Sequence, residues 1–478
     1  MAKNKKPDLR IGIISDPHLG FLGHYNPNYY GLGQGPFGKQ ELWYEYALRY
    51  FKWRGVDAIV IPGDMSNACA YNDIDNPNKD SKGVLIYKWW GDDEKMYETS
   101  ALACPEEVIE SGKIFRKVFA GTDTQIFCIY GNHDRPAQAL EPLNGGNRNV
   151  WQEAFGEPYS RVNVKKIKGF TFVGGHWDYE SECKDALDKA CAENPNKPVF
   201  YLQHPVIADT TMDSYTGAHR FETGRDLVKD HENVISLIGH THCPITDERT
   251  IWQSEKEGTV KGTVISCSTL NYGDSTGDLI RGENLWTKHG LILEVNGDDI
   301  RVERLSFYTP EMLALARSEK KKQNFKKSVK SAGADWNFTL KGKEMDWEKR
   351  AKNAVAPEFP NGATAGLARG TNFIEAHFPA AIPLDADNDL IQNYYAEAIE
   401  EETGEVVSTN QISTEYHVDH TSDFFSPYYQ ITLWNLKPDT KYEIRIYARD
   451  CWQKKSLKPI VVKSCFAKTL NEDAGRLK

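Results

Sequence analysis

The sequence predicts an α/β domain of two packed sheets flanked by helices, followed by a separate all-β sandwich. Short β-branched or aromatic runs alternate with helix-length stretches through the first half of the chain. Further strands then follow without helices between them. From Ala356 onward the texture is entirely that of short alternating strands. The 478 residues leave room for several domains at roughly 100–200 residues each.

Expected strands in the first part are Arg10–Ser15, Asp57–Pro62, Gln125–Tyr130, Phe170–Gly174, Val199–Gln203 and Val234–Ile238. Each is short and apolar and runs into Gly, Pro, His or Asp. Lys39–Arg54, Glu106–Phe119, Glu182–Glu193 and Gly224–Asp230 are expected helices. Strand–helix alternation implies a layered α/β domain. Thr263–Ser266, Leu291–Val295 and Ile300–Ser306 are expected to build a second sheet packed on the first. Residues 311–355 are expected to be a linker or connecting helix. Arg317–Lys330 is rich in Lys and Arg, as a solvated face would be, with an anion-binding patch as the alternative. In the last part, Tyr442, Ile444, Ile446 and Ala448 alternate with Glu443, Arg445 and Tyr447, giving a strand with one buried face. Leu436, Pro438 and Tyr442 resemble the tyrosine corner of immunoglobulin and fibronectin III-like sandwiches, in which a Tyr hydroxyl satisfies an upstream backbone group. The expected division is 8–310, 311–355 and 356–470.

Hydrophobic residues make up 40% and charged residues 26%, values that allow an ordinary core. The net charge of −10 weighs against nucleic acid as the main partner, which calls for a basic face. No apolar run approaches the ~18 residues of a membrane span. The start, Met-Ala-Lys-Asn-Lys-Lys, shows no leader pattern. The nine cysteines are odd in number and form no CxxC pair, so they make neither a disulfide framework nor a zinc knuckle. Export would allow the pairs Cys183/Cys191 and Cys451/Cys465.

Five short motifs follow predicted strands in order: Asp16-Pro-His18, Gly63-Asp64, Gly131-Asn132-His133-Asp134, Gln203-His204-Pro205 and Gly239-His240-Thr241-His242. Taken singly each has a plain reading: a chance Asp-x-His, a turn, a helix cap. Together they carry more, because ligands in layered α/β folds bind beyond the carboxyl ends of strands. Carboxylate, imidazole and amide oxygen suit borderline to hard divalent metals, and no thiolate is involved. A carboxylate can bridge two ions ~3.5–4 Å apart; such a pair polarises a phosphoryl oxygen and lowers the pKa of a bridging water.

The series resembles the calcineurin-like metallophosphoesterases, whose pattern is Asp-x-His, Gly-Asp, Gly-Asn-His-Asp/Glu, His, Gly-His-x-His. The resemblance covers about residues 8 to 308. It implies hydrolysis of a phosphodiester or phosphomonoester by a dinuclear centre of divalent or trivalent ions (Mn, Fe or Zn) and a bridging hydroxide. It places Asp16, His18 and His242 on one ion, Asn132, His204 and His240 on the other, and Asp64 between them. His133 matches the family's non-ligand histidine, which stabilises developing charge or protonates the leaving alkoxide. Whether Asp134 orients the loop or that histidine is left open by the sequence.

The chain departs from the phosphoprotein phosphatases in lacking their Asp-Arg-Gly. It departs from the purple acid phosphatases in having Asn67 where they place a metal-ligating Tyr. The stretch from Val234 through Tyr272 resembles a bacterial branch whose members often carry a C-terminal sandwich. That architecture favours the periplasm or cell exterior over the cytoplasm. Arg135, His176 and His219 are the expected substrate contacts, the first as a guanidinium for phosphate. His24, Tyr29, Tyr30, Trp177, Asp178 and Arg220 are further rim candidates. Gly31 to Gly35 lacks the Lys-Ser/Thr of a phosphate-binding P-loop. The competing functions are a two-metal nuclease and a scaffold protein with a structural metal site. In the latter the sandwich would bind a polymer or partner; in the enzyme reading it is expected to contact the catalytic domain or another protein.

Overall fold

The computed structural model describes residues 6–19, 40–66, 86–90, 96–100, 103–176, 179–212, 222–271, 273, 287–309, 328–384, 390–416 and 425–467. The chain divides into two compact units. The first comprises Met1–Ile245, Thr250–Asp274 and Glu283–Trp347; the second comprises Thr246–Arg249, Ser275–Gly282 and Glu348–Lys478.

The first unit is built on two mixed sheets. Leu9–Ile13, Ala58–Ile61 and Gln125–Cys128 lie side by side and parallel at the heart of one. In the other, Phe170–Gly175, Val199–Gln203, Val234–Ile238 and Thr263–Ser266 run parallel. Leu9, Ile11, Ile13, Val60 and Phe127 from one sheet and Phe172, Phe200, Leu202, Ile235 and Leu237 from the other form one buried cluster. Strands buried on both faces need near-continuous apolar runs, which is what these segments are. The outer face of the first sheet is covered by the helices Gln40–Arg54 and Ala103–Phe119. Trp43, Tyr44, Ala47, Leu48 and Phe51 make the buried stripe of the former, at the three-to-four spacing of an amphipathic helix. The helix Glu180–Glu193 covers the second sheet with Cys183, Leu187, Ala190 and Cys191.

Two expectations are corrected. Of the three late strands assigned to a second sheet, only Thr263–Ser266 joins it. His289–Asn296 pairs antiparallel with Leu9–Ile13, and Asp299–Ser306 pairs with His289–Asn296, so both extend the first sheet. A tight hairpin closed at Asn296 and Asp299 lays Asp299–Ser306 along the side of His289–Asn296 that faces away from the N-terminal strand. Within the stretch expected to be a linker, Lys330–Ser331 and Trp336–Thr339 add to the edge of that sheet on Asp299–Ser306. Trp336 and Phe338 alternate inward there. Most of the basic run lies outside the described residues.

Cys183 and Cys191 are free. They sit eight positions apart on one helix, about 12 Å along its axis at 1.5 Å per residue, beyond the ~7 Å a disulfide spans. Cys451 is also free, and the side chain of Cys465 lies outside the described residues. Among the described residues no helix is long and apolar enough to cross a membrane.

The second unit is an antiparallel sandwich. Gly366–Arg369, Ile374–Pro379 and Tyr428–Leu433 form one sheet; Val406–Ser413, Ile391–Glu400, Lys441–Asp450 and Ile460–Phe466 form the other. Tyr442, Ile444, Ile446 and Ala448 are buried with Ile374, Phe378 and Ile431. The Tyr442 hydroxyl accepts the backbone N–H of Lys437 at 2.9 Å. Tyr442→Phe leaves that group without its acceptor. It is expected to lower stability of the sandwich by about 1–3 kcal/mol, read by denaturant unfolding. A change below experimental error would show that the corner contributes nothing.

Candidate metal centre

All five motifs lie just past the carboxyl ends of parallel strands. Ile13 leads to Asp16 and His18, Ile61 to Asp64, Cys128 to Asn132 and His133, Gln203 to His204, and Ile238 to His240 and His242. The strands of both sheets therefore deliver their motifs to one edge. Asp16, His18, Asp64, His204 and His242 are all buried, although each is polar or charged.

The donor atoms converge. Asp16, His18 and His242 offer ligand atoms within 4.8 Å of one another, as do Asp64, His204 and His240, and also His18, Asp64 and His133. The His242 ring nitrogen Nε2 lies 3.0 Å from Asp16 Oδ1 and 3.2 Å from His18 Nε2. His204 Nε2 is 3.1 Å from Asp64 Oδ2 and 2.9 Å from Asn132 Oδ1. Asp64 Oδ2 also lies 3.8 Å from His18 Nε2. Nitrogen ligands on an ion with ~2.0–2.1 Å bonds in tetrahedral geometry stand about 3.3 Å apart, so the donor set fits a metal in both spacing and chemistry. The His204 Nδ1 atom lies 2.8 Å from the carbonyl of Pro62. An N–H donated there leaves the Nε2 lone pair directed at the cluster, as a metal-bound imidazole requires.

The motif glycines are needed for close approach. A Cβ on Gly131 would stand 2.1 Å from Asp64 Oδ1, and one on Gly239 would stand 2.6 Å from Asp16 Oδ2. Five of the polar residues are themselves left-handed: φ is 48° at Asp16, 43° at His18, 51° at Asp64, 69° at His240 and 50° at His242. Left-handed backbone at residues with a Cβ is strained, and such strain gathers at functional sites.

Asp134 takes a definite place. Its carboxylate accepts the backbone N–H groups of Gly131 at 2.9 Å, Met65 at 3.1 Å and Ser66 at 2.8 Å. It thereby ties the loop of Asp64 to the loop of Asn132 and His133. Burial, and secondarily the Asp64 charge, raise its pKa to about 6 despite those donors. Asp64 in turn accepts the backbone N–H of His133 at 2.8 Å.

Burial works against ionisation of Asp64, but the surrounding His204 and His133 rings outweigh it and hold its pKa well below the usual range. Burial disfavours a charged His204, yet Asp64 and Asp16 raise its pKa to about 9. Burial takes His240 down to about 3 and His18 well below its ordinary value.

Of the expected substrate contacts, Arg135 opens the helix Arg135–Leu140 immediately after the third motif, and its side chain is half-buried. His176 is buried at the end of Phe170–Gly175, with its ring 6.2 Å from Tyr179. Neither belongs to the donor groups. His219, His24, Tyr29, Tyr30, Asn67, Trp177, Asp178 and Arg220 lie outside the described residues. Thr269, which belongs to no motif, donates its hydroxyl to the Asp16 carbonyl at 3.1 Å.

Residues 9–244 match the calcineurin-like phosphoesterase family. No curated protein matches the chain. The chain is similar to solved structures at low identity. A purple acid phosphatase, PPD1, from seeds of yellow lupin (Lupinus luteus) is 13% identical over 62% of this chain and 51% of its own, with TM-score 0.35. The chain thus spans about half the length of that phosphatase. PhoD is 9% identical over 71% of each chain, with TM-score 0.39. A twitchin kinase region from C. elegans is 18% identical over 24% of this chain and 17% of its own, with TM-score 0.17.

Proposed function

With residues 9–244 a calcineurin-like metallophosphoesterase domain, we propose that the protein is a metal-dependent hydrolase of phosphodiester or phosphomonoester bonds. The reading rests above all on Asp64, whose carboxylate belongs both to the group with His18 and to the group with His204 and His240. Asp16, His18 and His242 would hold one ion, Asn132, His204 and His240 the other, with Asp64 shared. Imidazole and carboxylate donors suit Mn, Fe or Zn. A pair of ions in such a site supplies Lewis acidity toward a phosphoryl oxygen and a water acidic enough to attack at neutral pH.

The remaining chemistry belongs to the chain. The His133 ring packs edge-on against His18 at 4.5 Å between centroids. Its side chain keeps 14% exposure while Nε2 lies 4.0 Å from Asp64 Oδ2. It therefore borders the buried cluster and still opens to solvent, the position of a group that protonates a departing alkoxide. Its backbone is held by Asp64 and Ser66, the latter donating its hydroxyl to the His133 carbonyl at 3.0 Å. Arg135 and His176, with His219, are proposed to contact the substrate. In this reading residues 8–310 perform catalysis and residues 356–470 are an accessory module.

The test is hydrolysis of bis-p-nitrophenyl phosphate by full-length protein, chelated and then reloaded with Mn²⁺. Activity is expected to vanish on chelation and return on reloading. No turnover of this diester or the matching monoester with any divalent ion would overturn the enzyme reading in favour of the scaffold.

A further inference from the structure

Lys288 is a buried lysine, 5% exposed, and among the described residues no carboxylate forms an ion pair with it. Burying an ammonium this way is costly unless its donors are used. Its Nζ donates to the carbonyl of Asn271 at 2.6 Å and to Gln40 Oε1 at 3.4 Å, and lies 5.7 Å from the centre of the Trp43 ring. Burial lowers its pKa to about 7. A methionine of similar length would fill the same space at no electrostatic cost, so the amine calls for an explanation beyond packing.

Its bonds converge on one short loop after the strand Thr263–Ser266. Gln40 Nε2 donates to the Leu270 carbonyl at 2.9 Å, while Lys288 holds the next carbonyl, that of Asn271. The Asn271 N–H donates to Thr269 Oγ1 at 2.9 Å. From the other side of the loop, Thr269 Oγ1 donates to the Asp16 carbonyl at 3.1 Å, and the Leu270 N–H donates to the Ser15 carbonyl at 2.9 Å. The two peptide carbonyls that follow Ser15 and Asp16 are thus both fixed by this loop. They bracket the residue whose φ of 48° is left-handed.

We propose that Lys288 is a positioning residue for the metal centre, acting through Gln40 and the loop Thr269–Asn271 to hold Asp16 in its left-handed conformation. The proposal rests on the reading of Asp16 as a metal ligand. Residues of this kind, which orient a ligand without touching the metal, typically change metal affinity by ~10–100-fold when altered.

The experiment compares full-length wild type, Lys288→Met, Thr269→Val and the double variant. It measures bound Mn²⁺ per folded protein, Mn²⁺ affinity, and kcat and KM separately. Lys288→Met is expected to weaken one of the two ions by at least about tenfold and to lower kcat with KM little changed. Because both side chains act on one path, the double variant should lose little more than the worse single variant. Wild-type affinity for both ions in Lys288→Met, or losses that multiply in the double variant, would overturn the proposal. A lowered melting temperature with full metal content would likewise make Lys288 a packing residue only. If Lys288→Met does not fold, Gln40→Leu replaces it in the same cycle, with the same criteria. Wild type that binds no metal would fail the dinuclear reading itself, an outcome separate from a variant that keeps both ions.

Discussion

Asp64→Asn should abolish turnover while the protein stays folded. The substitution changes one oxygen to an amide nitrogen and removes the charge that both donor groups share. An amide N–H₂ directed at His204 and His18 donates where a cation must be accepted. The shape is nearly unchanged, and the Oδ1 position that accepts the His133 N–H at 2.8 Å can still be an oxygen. Metal content should therefore fall below two ions per chain. The kcat loss should exceed the ~10²–10⁴-fold of a missing proton donor, because ligation and nucleophile are lost together. Elemental analysis of folded protein and diester hydrolysis check this. Full metal content with kcat within about tenfold of wild type would remove Asp64 from the centre of the mechanism.

His133→Ala should act differently. The residue borders the cluster without being needed for either ligand set, so both ions should remain. Loss of a general acid is expected to lower kcat by ~10²–10⁴-fold, with KM nearly unchanged. The size of the loss should depend on the leaving group. Nitrophenolate departs readily without a proton, whereas an alkoxide does not, so an alkyl phosphodiester should suffer more than the nitrophenyl one. Equal losses on both substrates would point to charge stabilisation by His133. Loss of a metal ion in His133→Ala would make it a ligand, as its grouping with His18 and Asp64 permits.

The sequence made the central strands legible because burial on both faces demands compact apolar runs. Val199–Gln203, Val234–Ile238 and Thr263–Ser266 lie where their residues place them. The motifs were legible for a related reason: each is a polar break at the end of such a run. Pairing was not. Nothing local to His289–Asn296 tells it to lie beside Leu9–Ile13, since the choice depends on contacts far apart in the chain. The strand Val162–Ile167, with the sequence VNVKKI and mostly outside the core, lacks the apolar density that marked the others. Asp134 could be found but not interpreted, because its three backbone partners come from two loops. Lys288 was invisible: one lysine before the apolar run Leu291–Leu293 looks like a strand end, and its burial is a property of the assembled loop.

The left-handed backbone at Asp16, His18, Asp64, His240 and His242 has a consequence for anyone redesigning this protein. At on the order of 1 kcal/mol each, these five positions together hold back an amount that reaches the lower end of the ~5–15 kcal/mol stability of an ordinary domain. A stabilisation scheme guided by backbone preference alone would begin by writing glycine at these positions, and each step that removed strain would also remove a donor from the cluster. The same logic runs in reverse for a lineage released from chemistry, in which these are the residues whose replacement brings immediate relief. A chain that still carries all five is being held away from its own easiest route to stability.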